Sequence, residues 1–249
     1  MDRVERIASI INLMAPRVPW RVTELGSELN IDKSSISRIL GSLERKQWVK
    51  KLPNDAYVLG DKILELSLSV LSGIDIRRVS LPYLYELNNQ TRETVGLAIR
   101  VDYEDIIIDQ VESQNSVRHV LNLGMRYPLW SGATGKAILA NMEESEIEAL
   151  FTRLKKAGDL ILASGVKLNI DKLREELVII RRQGYAKTVG ERTPVTSAVA
   201  APIFERNKVT GAVLATGPLP RFDETVANNC SRFVIQVAHN ISLRMGSSL

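Results

Sequence analysis

The chain is poor in the residues on which redox, metal and nucleophilic chemistry most often depend. Its 249 residues include one cysteine, Cys230, and two histidines, His119 and His239. A single thiol forms neither an intramolecular disulfide nor a zinc site built from several thiolates, and this cysteine usage is typical of a reducing compartment. We therefore expect a cytoplasmic protein without a disulfide framework.

The low numbers of cysteine and histidine argue against catalysis by a nucleophile and a base. A catalytic nucleophile needs a base within hydrogen-bonding reach. Cys230 and His239 stand nine residues apart and share a face of a predicted helix only by rough count. No group of His, Cys and Asp residues has the spacing of metal ligands. The sequence therefore predicts that the protein is not an enzyme and has no cofactor and no metal site.

Long apolar runs are also absent. No stretch of about 18 uncharged apolar residues occurs, so no membrane-spanning helix is expected. Residues 1–6 mix acids and bases where a signal peptide would have a basic segment followed by an apolar run. We expect neither export nor a membrane partner.

The excess of basic residues is small but unevenly distributed. The chain has 33 Lys and Arg against 29 Asp and Glu, a net charge of +4. This total is too small to establish a polyanionic partner, so the distribution matters. Between Arg17 and Lys51, eight bases stand against four acids. The basic surplus of the N-terminal part therefore lies in one short window.

That window has the pattern of short helices followed by a hairpin. Apolar residues recur at helical spacing up to Pro16, again from Val22 to Asn30, and a third time after Asp32, whose carboxylate is placed to cap the helix that follows. The pattern then predicts two short strands, 48–52 and 57–59, joined by turn residues. Three helices and a hairpin predict a winged helix-turn-helix.

The outer face of the third helix is small, polar and basic. A helix that enters the major groove needs short side chains for close approach and donors for bases and phosphates. Arg38 could donate to a guanine or to a phosphate, whereas Lys33, Lys50 and Lys51 are better placed for phosphates. The alternative is an ordinary solvated face. The predicted DNA-binding residues are Lys33, Ser34, Ser35, Ser37, Arg38, Ser42, Lys50 and Lys51.

After residue 60 the pattern changes twice. Residues 61–73 form a run too apolar for an isolated helix in water, so we expect this linker helix to pack on another chain, with a domain boundary near Gly73. The remainder mixes strands and helices without regular alternation, which favours an α+β domain. The predicted strands are 94–101, 106–111, 184–189, 197–204 and 209–216, and the predicted helices after the boundary region include 132–142, 144–155, 171–183 and 222–245.

A turn of small residues, Ser131-Gly132-Ala133-Thr134-Gly135-Lys136, opens one of these helices. Free amide hydrogens at a helix start favour a carboxylate, and two glycines and an alanine leave room for its approach. The phosphate-binding pattern GxxxxGK[ST] is absent. We therefore expect a carboxylate rather than a phosphate anhydride at this position.

The chain resembles the isocitrate-lyase-regulator (IclR) family of bacterial and archaeal transcription regulators over nearly its whole length. The most specific block is residues 128–140, which begins Pro128-Leu129-Trp130-Ser131-Gly132. Matching segments in the N-terminal part are Thr23-Glu24-Leu25, residues 32–40, Ser42-Leu43-Glu44 and residues 57–60. Further matches are Gly184-Tyr185-Ala186, Gly190-Glu191, residues 198–204 and Gly217-Pro218.

The resemblance implies a fold, a function and a pocket. The fold would be a winged helix-turn-helix (1–60), a linker helix (61–73) and a GAF/profilin-like mixed α/β effector-binding domain (74–249). The function would be a sequence-specific regulator, a repressor rather than an activator, that binds double-stranded operator DNA as a homodimer or a dimer of dimers and responds to a small organic or aromatic acid. The pocket residues would be Leu121, Leu123, Met125, Trp130, Gly132, Ala133, Thr188, Glu191, Ala198 and Thr216.

Several alternatives stay open. Four apolar pocket residues could belong to the plain core, namely Leu121, Leu123, Met125 and Trp130. Glu191 could be a surface acid or balance the charge of Arg192. The whole chain could be a metabolite-binding protein whose helix-turn-helix contacts other proteins, or a small enzyme with a sensor-like fold.

Overall fold

A computed structural model describes residues 2–15, 19–72, 75–158, 160–162 and 164–247. The chain divides into two compact units, Met1–Ile74 and Asp75–Leu249. Three residues named above lie outside the described residues: Pro16 after the first predicted helix, Arg17 at the start of the basic window and Gly73 at the predicted boundary.

The first unit has the predicted order of helices and strands. Its elements are α1 (Arg3–Met14), α2 (Val22–Leu29), α3 (Lys33–Arg45), β1 (Val49–Lys51), β2 (Tyr57–Leu59) and α4 (Asp61–Ser72). Strands β1 and β2 form an antiparallel hairpin. Asp32 caps α3 by accepting the Ser35 amide at 2.8 Å, and Asn30 ends α2 in the left-handed conformation. The winged helix-turn-helix prediction is confirmed.

One apolar core holds the first unit together. Ile10 of α1, Leu25 of α2 and Ile36 and Leu40 of α3 are fully buried in it. These side chains recur at the helical period of the sequence, so burial of one face of each helix explains the pattern. The opposite face of α3 is left in solvent.

Helix α4 differs from the other helices of this unit in what it exposes. Leu64, Leu66, Leu68 and Val70 are all exposed in the single chain. Apolar side chains concentrated on one uncovered helix are typical of an interaction surface.

The second unit is built on one six-stranded antiparallel sheet. Its elements are α5 (Asp75–Thr91), β3 (Thr94–Val101), β4 (Glu104–Val111), β5 (Arg126–Pro128), α6 (Gly132–Leu139), α7 (Glu144–Ala157), α8 (Ile170–Gln183), β6 (Ala186–Val189), β7 (Thr196–Glu205), β8 (Lys208–Pro218) and α9 (Glu224–Arg244). The strand order is β5-β4-β3-β8-β7-β6. The α+β prediction is confirmed.

Helices cover both faces of this sheet. Helix α6 packs on β6, β7 and β8 together with the apolar side chains of α7 and α8. Helices α5 and α9 pack on each other and on the other face. Ala200 and Leu214 belong to the α6 side, whereas the alternating residues Val199 and Val213 are buried on the opposite side.

Two local predictions need correction. Residues 102–105 fall between the predicted strands 94–101 and 106–111, but β4 already begins at Glu104 and Asp105 is fully buried. The short edge strand β5 was not predicted, because three residues carry too little periodicity. Among the described helices, none is long and apolar enough to cross a membrane.

Candidate functional site

The polar face of α3 borders a concave surface that we call the arginine cleft. Four predicted DNA-binding residues line it, namely Ser35, Ser37, Arg38 and Ser42. Three further arginines line the same surface and were missed from the sequence, Arg3 and Arg6 of α1 and Arg45 at the end of α3. Arg45 belongs to α3 itself, whereas Arg3 and Arg6 reach this surface only because α1 packs against the other helices.

Two guanidinium groups of the cleft, those of Arg38 and Arg45, donate to neutral oxygens, and Arg38 is also attracted by the Asp32 carboxylate. Arg38 donates to the Ser34 carbonyl at 3.4 Å and Arg45 to the Ser42 hydroxyl at 3.0 Å. The Arg6 Nε atom is buried without a hydrogen-bond partner among the described residues. Within that part of the chain, none of the four guanidinium groups forms an ion pair with a carboxylate. The cleft is therefore suited to a polyanion.

The other four predicted DNA-binding residues lie outside the cleft. The Ser34 hydroxyl donates to the Asp32 carboxylate at 2.7 Å, and this bond, with those from Ser35, lowers the pKa of Asp32. Lys51 pairs with Asp55 of the hairpin turn at 2.6 Å. Lys33 and Lys50 are exposed. An exposed pair such as Lys51 and Asp55 contributes little to stability, so its ammonium group is available to a phosphate.

In the second unit a cavity lies at the start of α6, and we call it the α6 cavity. About 560 Å³ of space free of protein atoms lies within it, including open solvent at its mouth. Seven predicted pocket residues line it: Leu121, Gly132, Ala133, Thr188, Glu191, Ala198 and Thr216. Lining residues that were missed include Ile107, His119, Asn122, Tyr127, Thr134, Arg192, Thr193, Thr196 and Leu214.

Three predicted wall residues do not line the cavity. Leu123 and Met125 are 53% and 45% exposed, because the chain turns at Gly124, where φ is +80°. Trp130 is half-buried and packs against the core beneath α6. The expectation that these three supply apolar wall is therefore not met by their positions.

The floor of the cavity is a row of residues across neighbouring strands. Thr188 of β6 pairs with Ala198 of β7, Ala198 pairs with Thr216 of β8, and Thr216 pairs with Thr94 of β3. Residues paired directly across a sheet point to the same face. Thr188, Ala198 and Thr216, which line the cavity, thus supply one surface of hydroxyl and methyl groups.

A carboxylate already sits at the start of α6, and it belongs to the protein. The Glu191 Oε2 atom accepts the Gly132 amide hydrogen at 2.9 Å, while Oε1 accepts from the Lys136 ammonium group at 2.5 Å. Lys136 is 5% exposed and also pairs with Glu176 at 2.8 Å. Glu191 is therefore neither a surface acid nor the partner of Arg192, as the sequence had left open.

Arg192 instead pairs with Asp105. Its Nη1 atom donates to Asp105 Oδ2 at 3.1 Å and to the Thr134 hydroxyl at 2.8 Å, and Nη2 donates to Asp105 Oδ1. Burial raises the pKa of Asp105, and the Arg192 guanidinium acts in the opposite direction. The guanidinium stacks 4.4 Å from the Tyr127 ring centre. Its positive charge is thus held in the cavity wall by a buried carboxylate.

Gly132 is required by this arrangement. Its φ is +76°, and a Cβ atom there would lie 2.3 Å from Arg192 Nε. The positive φ and the close guanidinium together leave room only for glycine.

Cys230 and His239 do not form a reactive pair. The Cys230 thiol is buried, which raises its pKa to about 11, whereas His239 is exposed. Within the described part of the chain no group of three or more His, Cys, Asp or Glu residues is arranged to hold a metal ion.

A winged helix-turn-helix with a basic cleft, joined in one chain to a unit with a small polar cavity, is the architecture of a ligand-responsive transcription regulator. The family model for the IclR helix-turn-helix domain matches residues 3–53, and the model for the C-terminal domain of bacterial IclR transcriptional regulators matches residues 68–243. The chain therefore belongs to the IclR family of transcriptional regulators.

Individual relatives agree with this assignment. The chain is 29% identical to the HTH-type transcriptional regulator KipR of Bacillus subtilis, over 98% of this chain and 96% of the relative. It is 25% identical to the transcriptional repressor IclR of Escherichia coli, over 90% and 82%. The crystal structure of an IclR homologue from Microbacterium hydrocarbonoxydans, complexed with 4-hydroxybenzoate, has the same fold with a TM-score of 0.82 at 19% identity, over 98% and 99%.

Proposed function

We propose that this chain is a repressor that binds operator DNA through its first unit and a small organic or aromatic acid in the α6 cavity. The observation that carries the effector half is the Gly132 amide, which donates to the Glu191 carboxylate at the cavity wall. A helix start that binds one carboxylate has the donors to bind another. An acid effector would thus compete with Glu191 for this amide.

The DNA half rests on the arginine cleft. We assign base-edge and phosphate contacts to Ser35, Ser37, Arg38 and Ser42, which line it. Lys33, Ser34, Lys50 and Lys51 would contact phosphates on either side of it, and Arg3, Arg6 and Arg45 would extend the contact with the backbone. Four guanidinium groups without carboxylate partners among the described residues favour double-stranded DNA over a neutral protein surface.

The exposed apolar side chains of α4 support assembly. A homodimer would cover these side chains, which are Leu64, Leu66, Leu68 and Val70, and two such dimers would bind one operator.

In this scheme the chain comprises a DNA-binding domain (1–60), a linker helix (61–73) and an effector-binding domain (74–249). We place the protein in the cytoplasm and assign it no enzymatic activity and no cofactor, in agreement with the names of its relatives.

Effector binding regulates DNA binding only if the affinity for the effector differs between the DNA-binding dimer and the released dimer. An effector with equal affinity for the DNA-binding and the released dimer shifts nothing, however tightly it binds. The exchange of Glu191 for an effector carboxylate at Gly132 is one change that could differ between the two states.

A mobility-shift assay with the DNA upstream of the protein's own gene tests the DNA half. We expect a retarded complex, and its absence would favour a helix-turn-helix that contacts only protein.

A thermal-shift screen of organic and aromatic acids, including 4-hydroxybenzoate, tests the effector half. We expect a rise in melting temperature without turnover, because a ligand that binds the native state stabilises it. Turnover of a compound would instead indicate an enzyme.

A further inference from the structure

The loop between β4 and β5 carries His119 to the α6 cavity and holds its backbone firmly. The His119 carbonyl accepts the hydroxyl of Thr94 at 2.6 Å, and Thr94 is fully buried. Leu121 lies two residues after His119, and the Gln110 side chain binds both its amide and its carbonyl, at 2.8 and 3.2 Å. The position of the imidazole is therefore set by strands β3 and β4 rather than by the loop alone.

The hydrogen bonds of Thr216 determine which ring nitrogen of His119 carries the proton. The Thr216 hydroxyl donates its single hydrogen to the Ser197 carbonyl at 2.8 Å. Its oxygen lies 3.2 Å from His119 Nδ1, so it can only accept from that nitrogen. Nδ1 consequently bears the hydrogen, and in the neutral ring Nε2 is left as an acceptor.

The ring remains neutral near physiological pH. Burial lowers the pKa of His119 below its ordinary value of 6.5, and no carboxylate among the described residues forms a hydrogen bond or ion pair with the ring. Nε2 also has no protein partner in that part of the chain, while the ring borders the α6 cavity. A ring that borders the cavity therefore carries one acceptor without a partner among the described residues.

We propose that His119 selects effectors that carry a hydroxyl or N–H donor in addition to their carboxylate. The donor would bind His119 Nε2, and an effector that offered only oxygen lone pairs there would place acceptor against acceptor. This inference rests on the proposed function, because it assumes that the α6 cavity binds an acid.

The tautomer is measurable without any effector. The chain has two histidines, so nitrogen-15 NMR of the full-length protein with His239→Asn leaves His119 as the only imidazole signal. We expect a neutral ring protonated at Nδ1 at pH 7. A ring protonated at Nε2, or a charged imidazolium, would overturn the inference.

Selectivity is then measured with matched acids. Benzoate, 4-hydroxybenzoate and 4-methoxybenzoate share a ring and a carboxylate, but only the second has a donor at the far end; short-chain acids and their hydroxy derivatives form a second set. By calorimetry we expect a hydroxy acid to bind the wild-type protein about tenfold more tightly than its donor-free partner, which is the upper end of the contribution of one net hydrogen bond.

Two variants separate recognition from folding. His119→Asn keeps an amide donor for Thr216 but removes the acceptor, so the tenfold preference should vanish, whereas His119→Gln places an amide oxygen near the Nε2 position and should keep part of it. His239→Asn is the control, since His239 is exposed and the preference should persist. An equal preference in wild type and His119→Asn would overturn the inference and leave the proposed function intact. Failure of every acid to bind the wild-type protein would overturn both.

Discussion

Arg38 is the residue that we propose contacts DNA bases most directly. It lies on the exposed face of α3 and lines the arginine cleft. Arg38→Ala should weaken operator binding by about 1–3 kcal/mol if the guanidinium contacts a base edge. Fluorescence anisotropy with a labelled operator fragment measures this, and the loss should be smaller on unrelated DNA.

A matched control removes the same charge far from α3 in the sequence. Arg232 is exposed on α9, so Arg232→Ala should leave operator affinity unchanged. Unaltered affinity and footprint in Arg38→Ala would remove this residue from the recognition set. Equal losses on operator and unrelated DNA would make it a phosphate contact instead.

The burial of His119 also predicts a pH dependence of stability. Its pKa in the folded protein is lowered from 6.5, so the unfolded chain takes up a proton at a higher pH than the folded protein does. The free energy of unfolding should therefore fall as the pH drops from 7 towards 5, by at most about 1.4 kcal/mol per pH unit from this group. Urea titrations at several pH values measure the slope.

The same titrations in His119→Asn isolate the histidine. The substitution should flatten the slope between pH 7 and 5. The variant retains every carboxylate, including the buried Asp105, so acid titrations cancel in the comparison with the wild type. An unchanged slope in His119→Asn would show that the ring is not desolvated.

At the level of single residues, the sequence pointed to donors and acceptors but not to their partners. Glu191 was expected near the pocket, yet its contacts with Gly132 and Lys136 depend on how β6 meets α6. Asp105 was missed because a run of polar residues is typical of a turn. It is tolerated in a buried strand because the Arg192 guanidinium reaches it from a segment 87 residues away.

Among the secondary-structure elements, α6 is the one that the cavity depends on most. Ala133 lies in its first turn, is buried and lines the cavity. Ala133→Trp should fill that space and abolish stabilisation by any effector found in the screen, which for the wild type would reach about 2.7 kcal/mol at one hundred times the dissociation constant. Thermal shift with and without the effector measures the loss.

Folding must be checked separately for this variant, because overpacking a core position destabilises by about 1–3 kcal/mol. Operator binding should persist in Ala133→Trp, and Ala157→Trp, at an exposed position at the end of α7, should retain the full effector response. A normal response in Ala133→Trp would place the effector elsewhere.

The secondary-structure elements themselves were largely predictable. Periodicity located α1 to α3, the hairpin and strands β3, β7 and β8, and the Asp32 cap was identified from its position alone. The register was not predictable: the row Thr188, Ala198 and Thr216 requires three strands to pair in one alignment. A shift of one residue would turn these side chains to the opposite face.

For the molecule as a whole, the charge distribution predicts a strong response to salt. Each phosphate contact releases counterions, so operator affinity should fall about 10³- to 10⁵-fold between 50 and 200 mM salt if six to ten phosphates are bound. Lys33→Ala, Lys50→Ala and Lys51→Ala should each reduce the slope of log affinity against log salt by about one. Lys172→Ala, on α8 of the second unit, should not. A flat response would contradict the phosphate roles.

The sequence by itself determined the class of protein. Helical and strand periods, one cap, a basic window and a small-residue turn depend on neighbours a few positions apart, and these interactions persist whatever the rest of the chain does. Tertiary structure alone decided which groups meet: Arg3 and Arg6 beside α3, Glu191 at the Gly132 amide, Arg192 on Asp105 and His119 on Thr216. These contacts join segments distant in the chain, and strand register and helix packing fix their geometry.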